Sequence, residues 1–376
     1  METTKKGTKV VVVSIVVGIV AILGLATVIT LGCLGVFKTE NVNITKTEKE
    51  VTVTDEGIAD AVDKIYDAVV IVEVGNSKDN ITGWGSGVVY DKDDKYAYIL
   101  TNHHVVDDGK YVLVEYTDES QVEAEIVGSD EIQDIAVLKV PVDTILAVAE
   151  VGSSNDLDLG DTVFTVGTPV GLSYKFTVTR GILSGKDRLC QMSSSNSSYY
   201  GYMTQSNTWY MSLLQIDATI NSGNSGGPLA NSNGQIVGIT NSKLSSSYSS
   251  VSIENMGFAI PIEDAMNVAS QIRKDGKVTR PFFGVSVSPI SNANRLGVEI
   301  DSSITIGALI TSVENGSTAA DAGIKVGDVL TKINDDELKN YKYFRYYLYR
   351  HSVGEKVKFT YIRDGKEKTV EVTLKS

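Results

Sequence analysis

The chain is poor in the residues that most often build sites. Among 376 residues there are two cysteines, Cys33 and Cys190, and three histidines, His103, His104 and His351. Two distant cysteines cannot form a disulfide framework, and no CxxC or Cys/His cluster supports structural zinc. Nothing in the sequence asks for a metal or cofactor, and chemistry that needs imidazole has three places to go. A basic surplus is missing too. The formal net charge is −13. Residues 38–276 hold 16 Lys/Arg against 34 Asp/Glu, a net of −18, whereas residues 277–376 hold 15 against 12, a net of +3. The acidic block would repel a phosphate backbone, so nucleic acid is excluded as a partner for the larger part. What remains is ordinary globular composition, 42% hydrophobic and 22% charged. At ~150 residues per domain, the length suits about two or three units.

One long apolar run stands out. No residue between Val10 and Phe37 is charged. Spanning a bilayer takes ~20 apolar residues and a signal-peptide core only ~7–15, so residues 10–37 are expected to be a transmembrane helix. Lys5, Lys6 and Lys9 precede it; Lys38, Lys46 and Lys49 follow. Counted over longer flanks the positive-inside rule is tied. The nearest charges favour a cytoplasmic N-terminus at residues 1–9, with the rest of the chain extracytoplasmic. Residues 38–57 are polar, charged and without apolar period, which reads as a tether.

Beyond the tether, Ile58–Ala68 has helical spacing (Ile58, Ala61, Val62, Ile65). Short β-like runs follow at Val69–Val74, Gly87–Tyr90, Tyr96–Thr101, Tyr111–Tyr116, Ile135–Val140, Thr162–Gly167, Thr177–Ser184, Gln235–Thr240 and Met256–Ile260. Many short strands with few helices between them predict a mainly β sandwich or barrel rather than a βαβ fold. Cys190–Ser212 is rich in Ser, Tyr, Asn, Gln and Met and reads as a long surface loop. Pro261–Lys274 returns to helical spacing and is placed between two domains, at 58–276 and 277–376. In the second, a helix over roughly Asp336–Arg350 carries a Tyr341, Phe344 and Leu348 stripe, read as core.

Three segments carry chemistry. Ser225 sits in Ile220-Asn-Ser-Gly-Asn-Ser-Gly-Gly-Pro-Leu229, where small residues let the backbone turn sharply and aim N–H groups at a developing oxyanion. His103 and His104 end the run Leu100-Thr-Asn-His-His-Val-Val106, and an imidazole is what a serine needs to become nucleophilic. Asp134 immediately precedes the strand Ile135–Leu138, where a carboxylate could hold the imidazole tautomer. Alone, each has an ordinary reading: a glycine turn, a structural histidine, a solvated strand-end acid. Together they run His104, Asp134, Ser225, the chymotrypsin-type order. Gly223–Gly227 also fits Gly-x-Ser-x-Gly, but an α/β-hydrolase needs its base after the serine, which leaves only His351, and no strand-to-helix turn surrounds Ser225.

With these motifs the sequence resembles the HtrA (DegP/DegS-like) family of trypsin-like serine proteases with a C-terminal PDZ domain. The matching blocks are Thr101–Val105, Asp134–Leu138, Gly167–Gly171, Val178–Ile182, Gly223–Leu229 and Gly257–Pro261, over roughly Ile58 to Leu374. The resemblance implies a chymotrypsin-like double six-stranded β-barrel, a His104/Asp134/Ser225 triad at the barrel interface, and an oxyanion hole from Gly223, Ser225 and Asn224. It places the base directly before Val105, hence His104 rather than His103. Phe282-Phe283-Gly284-Val285 resembles a PDZ carboxylate-binding loop, and Ala319–Leu330 the segment that follows it. Such a domain captures C-terminal peptides by strand addition. The implied protein is a membrane-anchored serine endopeptidase for unfolded or damaged extracytoplasmic proteins, with a homotrimer possible. The competing class is a catalytically idle, membrane-tethered PDZ or holdase protein. Ser222 and Thr168 depart from the family pattern, and 190–212 exceeds its usual loop.

Overall fold

The computed structural model describes residues 55–107, 109–193, 208–242 and 255–376. The expected membrane helix at 10–37 and most of the 38–57 tether lie outside them. Among the described residues no helix is long and apolar enough to cross a membrane.

Helix α1 (Asp55–Tyr66) starts three residues before the expected helix, inside the stretch read as tether. Ala61 and Ile65 on its inner face are buried. Seven strands follow: β1 (Val69–Ser77), β2 (Asn80–Lys92), β3 (Tyr96–Thr101), β4 (Tyr111–Glu115), β5 (Gln121–Glu123), β6 (Glu125–Asp130) and β7 (Ile135–Pro141). They form one antiparallel sheet in the order β5-β4-β1-β2-β3-β7-β6. A single helical turn, α2 (His103–Val106), interrupts the run after β3. Runs of Val and Ile in β1 and β7 suit strands buried on both faces. The second unit contains β8 (Thr162–Gly167), β9 (Thr177–Ser193), β10 (Thr208–Ile216), β11 (Pro228–Asn231), β12 (Ile236–Thr240) and β13 (Gly257–Pro261). These close into a barrel, β10-β13-β12-β11-β8-β9. The expected pair of six-stranded barrels is thus one closed six-stranded barrel and one seven-stranded sheet.

The segment read as a surface loop is corrected at both ends. β9 runs to Ser193 and pairs with β10 from Thr208, placing Trp209 opposite Met192 and Met211 opposite Cys190. Cys190, Trp209 and Met211 are buried. Gln191 and Tyr210, next to them in the pairing, are more exposed, so composition hid a period of two. Residues 194–207 lie outside the described set.

Helix α3 (Ile262–Asp275) leads out of the barrel and is closed by Gly276, whose N–H donates to the Ile272 carbonyl at 2.8 Å. It buries Ile262, Ala265, Val268, Ala269 and Ile272. The last unit is a sheet of β14 (Val285–Ser288), β15 (Ala308–Val313), β16 (Val329–Ile333), β18 (Lys356–Arg363) and β19 (Lys366–Thr373), with β17 (Asp336–Glu337) on β16. Helices α4 (Thr318–Asp321) and α5 (Lys342–Leu348) complete it. The helix expected from Asp336 is therefore shorter. Asn334, at φ 51°, turns the chain so that Asp336 pairs with Ile333, and the Asn340 side chain accepts the Lys342 N–H at 3.0 Å where α5 begins.

Helix α3 also carries contacts to the last unit. Asn267 Nδ2 donates to the Arg350 carbonyl at 2.9 Å, and the Tyr346 hydroxyl donates to Asp264 at 2.9 Å.

Candidate active site

The end of β3 delivers the histidines. His104 lies in α2, and its backbone N–H donates to Asp134 Oδ1 at 2.9 Å. Its ring Nδ1 lies 2.7 Å from Asp134 Oδ2, and its Nε2 lies 3.0 Å from Ser225 Oγ. An ionised carboxylate only accepts, so the proton sits on Nδ1 and Nε2 is left to accept from the serine hydroxyl. His103 turns elsewhere, with Nδ1 2.9 Å from Ser129 Oγ and Nε2 3.4 Å from Asp107. His351 pairs with Glu355 at 2.7 Å in the terminal unit, and no hydrogen bond or ion pair links it to Ser225.

Asp134 is held from every side. It adopts the left-handed conformation, φ 52°, one that clusters at functional positions. Asn102 Nδ2 donates to its carbonyl at 2.8 Å, and the Gln133 N–H donates to Asp130 at 2.8 Å. From the β9–β10 ribbon, the Trp209 indole donates to the Ile132 carbonyl at 2.7 Å. The carboxylate gains another donor from Asn241 Nδ2 at 2.6 Å. Sequence reasoning missed Asn241, which is fully buried and lies 107 residues along the chain from its partner. Its only sequence sign is an amide directly after a buried strand.

Ser225 stands in the loop between β10 and β11. Its carbonyl accepts the Ser86 N–H at 2.8 Å, fastening the loop to β2. Its hydroxyl is also met by Ser242, whose N–H donates at 3.1 Å and whose Oγ lies at 2.6 Å. If Ser225 donates to His104, the Ser242 hydroxyl must donate to Ser225. Upstream, Asn221–Asn224 is a tight turn closed by the Asn224 N–H on the Asn221 carbonyl at 3.0 Å. That bond removes Asn224 from the expected oxyanion donors. The N–H groups of Gly223 and Ser225 have no acceptor among the described residues. Gly223 has φ 99°, and a Cβ there would sit 2.0 Å from the Thr168 carbonyl, so only glycine fits. Trp84, His104, Ser222, Gly223, Ser225 and Ser242 line a recess of 210 Å³. The set can deprotonate a hydroxyl, direct it at an acyl carbon and receive a negative oxygen.

The second expected site is a groove of 380 Å³ between β14 and α5. β14 is an edge strand and can accept another. Phe282, Phe283, Gly284 and Val285 all line the groove. Phe283 is also core, 1% exposed and stacked on Phe359 at 4.1 Å. Gly284 has φ 80°, and a Cβ there would fall 2.1 Å from the Ser317 Cβ. The stripe read as core has two roles: Phe344 and Leu348 are buried, yet both line the groove with Tyr341. Tyr210, from the β9–β10 ribbon, reaches the same groove.

Fold and site together define a trypsin-like serine endopeptidase joined to a PDZ domain. Family models agree: residues 85–239 match a trypsin-like peptidase domain and residues 281–374 a PDZ domain. The chain is 39% identical over 294 residues to the serine protease Do-like HtrA of Lactococcus lactis subsp. lactis, covering 77% of this chain and 70% of that protein. Against the Bacillus subtilis protein of the same name it is 37% identical over 306 residues, 80% of this chain and 65% of that one. Among solved structures, the HtrA-type protease AlgW with a tripeptide superposes with a TM-score of 0.63 at 28% identity, covering 85% of this chain and 96% of that one. A serine endoprotease from Yersinia pestis gives 0.58 at 29%, covering 85% and 97%. The chain belongs to the HtrA family of serine proteases.

Proposed function

We propose that His104, Asp134 and Ser225 carry the peptidase reaction. The observation behind this reading is the continuous chain from Asp134 Oδ2 through both His104 nitrogens to Ser225 Oγ, at 2.7 and 3.0 Å. His104 Nε2 takes the Ser225 proton as Oγ adds to the scissile carbonyl carbon. The Gly223 and Ser225 N–H groups receive the oxyanion. His104 then gives the proton to the leaving amine, which departs and leaves the acyl group on Ser225. Water, deprotonated by the same nitrogen, releases it. Asp134 keeps the tautomer and stabilises the imidazolium.

The remaining parts fit an anchored enzyme. The uncharged run at 10–37 supports a membrane anchor, the lysines nearest it a cytoplasmic residue 1–9 segment, and the polar 38–57 stretch a tether to an extracytoplasmic protease at 58–276 and PDZ domain at 277–376. The substrates are unfolded or damaged polypeptides. The groove beside β14 takes their C-terminal carboxylates, a reading supported by the free edge of β14 and by the Phe282–Val285 segment that lines the groove. A homotrimer is the assembly proposed. The idle-binder alternative has no observation in its favour. Digestion of an unfolded protein by wild type against Ser225→Ala is the test: a loss of about 10⁶ in kcat is expected. Substantial cleavage by the purified variant would sink the assignment.

A further inference from the structure

The loop between β8 and β9 carries a strained turn with no evident local cause. Val170 has φ 66°, a genuine outlier for a β-branched residue. The Gly171 N–H donates across it to the Pro169 carbonyl at 2.7 Å, which makes a γ-turn of the uncommon positive-φ form. Packing of the Val170 side chain does not explain this, because it is 67% exposed. The backbone does. The Val170 N–H donates to the Ser222 carbonyl at 2.7 Å. In a trans peptide the carbonyl and the following N–H point opposite ways, so this bond also fixes the direction of the Gly223 N–H. Glycine at 223 tolerates either orientation, so the Ser222–Gly223 peptide needs an external hold.

The loop bearing that hold is anchored at both ends. At the near end, the Trp84 indole donates to the Thr168 carbonyl at 3.3 Å. At the far end, Lys175 pairs with Glu115 on β4, which is 3% exposed and also accepts from Gln121 at 3.0 Å. Glu73, 6% exposed on β1, is the diagonal neighbour of Glu115 on the same face. Burial and the Glu115 charge both push the Glu73 carboxyl up, whereas Lys175 pulls it down. Next to Lys175, Phe176 is buried against Tyr66, ring centroids 5.9 Å apart. A lysine on a surface loop is normally free to move; this one is tied to a carboxylate buried in the other sheet.

We propose that Lys175 is a positioning residue for the oxyanion peptide: its ion pair with Glu115 fixes the 168–176 loop so that the Val170 N–H holds the Ser222 carbonyl. The inference rests on the reading of Ser225 as nucleophile. Lysine is specified by charge and reach, so arginine should substitute and methionine should not.

The test uses the full chain in detergent, with labelled casein as unfolded substrate and a serine-reactive phosphonate as probe of Ser225. Lys175→Met should lower kcat and the phosphonylation rate by about 10- to 100-fold, below the cost of deleting an oxyanion donor outright. KM should stay within about twofold, and Lys175→Arg should recover most of the rate. Since Lys175→Met leaves Glu115 buried and unpaired, Lys175→Met/Glu115→Gln is made alongside to keep the fold. A wild-type kcat in that folded double variant would overturn the proposal. So would a loss that appears in KM alone, or one that arginine does not rescue. Digestion that survives Ser225→Ala would remove the nucleophile and this proposal together, whereas normal Ser225 labelling in Lys175→Met and in the double variant removes this one alone.

Discussion

Arg280 grips Asp130 with both terminal guanidinium nitrogens, at 2.5 and 2.6 Å. Arg280 lies at the entrance to the PDZ domain, one residue before its family match begins. Asp130 ends β6, and its second oxygen also accepts the Gln133 N–H at 2.8 Å, one residue before Asp134. The start of the PDZ domain is thus clamped to the turn that presents Asp134. Both side chains are largely buried, at 16% and 8% exposure. Removing one partner leaves the other uncompensated, so Arg280→Ala should cost about 3–5 kcal/mol in urea unfolding. Arg280→Lys keeps the charge but not the fork and should fall between. A loss below about 1 kcal/mol for alanine would show that water replaces the pair.

Much of this was legible in the sequence, and the exceptions have physical causes. Tyr96–Thr101 and Thr162–Gly167 were read to the residue, because each is a short apolar run cut by a turn at both ends. His104, Asp134 and Ser225, far apart in the sequence, lie within hydrogen-bond distance of one another in series. The ribbon around 190–212 did not read, since its mostly polar composition masked the buried Cys190, Trp209 and Met211, with which the more exposed Gln191 and Tyr210 alternate. Nor could a sequence show that the Asn224 N–H is spent closing a turn, or that Val170 sits at φ 66°, where its side chain is among the least suited. Such facts belong to backbone geometry imposed from a distance.

Asn241 offers a cleaner probe of the site than its acid does. Its amide donates to Asp134 Oδ2 at 2.6 Å, sharing that oxygen with His104 Nδ1. Hydrogen bonds to charged groups are worth about 1.5–3 kcal/mol, so Asn241→Ala should lower kcat/KM by roughly 10- to 100-fold. Asn241→Asp should be worse near neutrality, because it sets a second carboxylate against the first. Kinetics on one peptide substrate, with circular dichroism as a check of folding, would rank the three. An aspartate variant as active as wild type would mean that Asp134 does not need the donor.

Asp264 predicts an unusual dependence of stability on pH. It is buried on α3 facing Tyr346 and Arg350, with Arg350 Nε 3.4 Å away. Burial pushes its carboxyl up from an ordinary 3.8 to about 6, against the pull of Arg350 and the Tyr346 hydroxyl. The folded chain therefore holds a proton that the unfolded chain has lost between those values. This contribution to stability is complete below about pH 4 and is lost as pH rises through about 6. Asp264→Asn should abolish that slope and gain relative to wild type with rising pH, by at most about 3 kcal/mol at pH 7. Urea midpoints of both proteins from pH 4 to 7 would test it. A gap that narrows with rising pH would show that the Arg350 pairing dominates and the carboxylate is the favoured form.

The two adjacent histidines give the sharpest test of the proposed triad, because they differ in surroundings and not in chemistry. Only His104 spans Asp134 and Ser225, at 2.7 and 3.0 Å. His103 is held by Ser129 at 2.9 Å and Asp107 at 3.4 Å, on the side of α2 away from the nucleophile's hydrogen bonds. His104→Ala should match the loss in Ser225→Ala, since members of such a unit are grossly non-additive and each alone removes most of the rate. His103→Ala removes the Ser129 hydrogen bond, worth about 1 kcal/mol, and the longer contact with exposed Asp107, and should keep most of the activity. The comparison is kcat/KM for both variants on one unfolded substrate, each first shown to be folded. A double variant, His104→Ala/Ser225→Ala, should be no worse than either single change. Equal and complete loss in folded His103→Ala would give that ring a part in the reaction which its contacts with Ser129 and Asp107 do not explain. Full activity in His104→Ala would dismantle the triad.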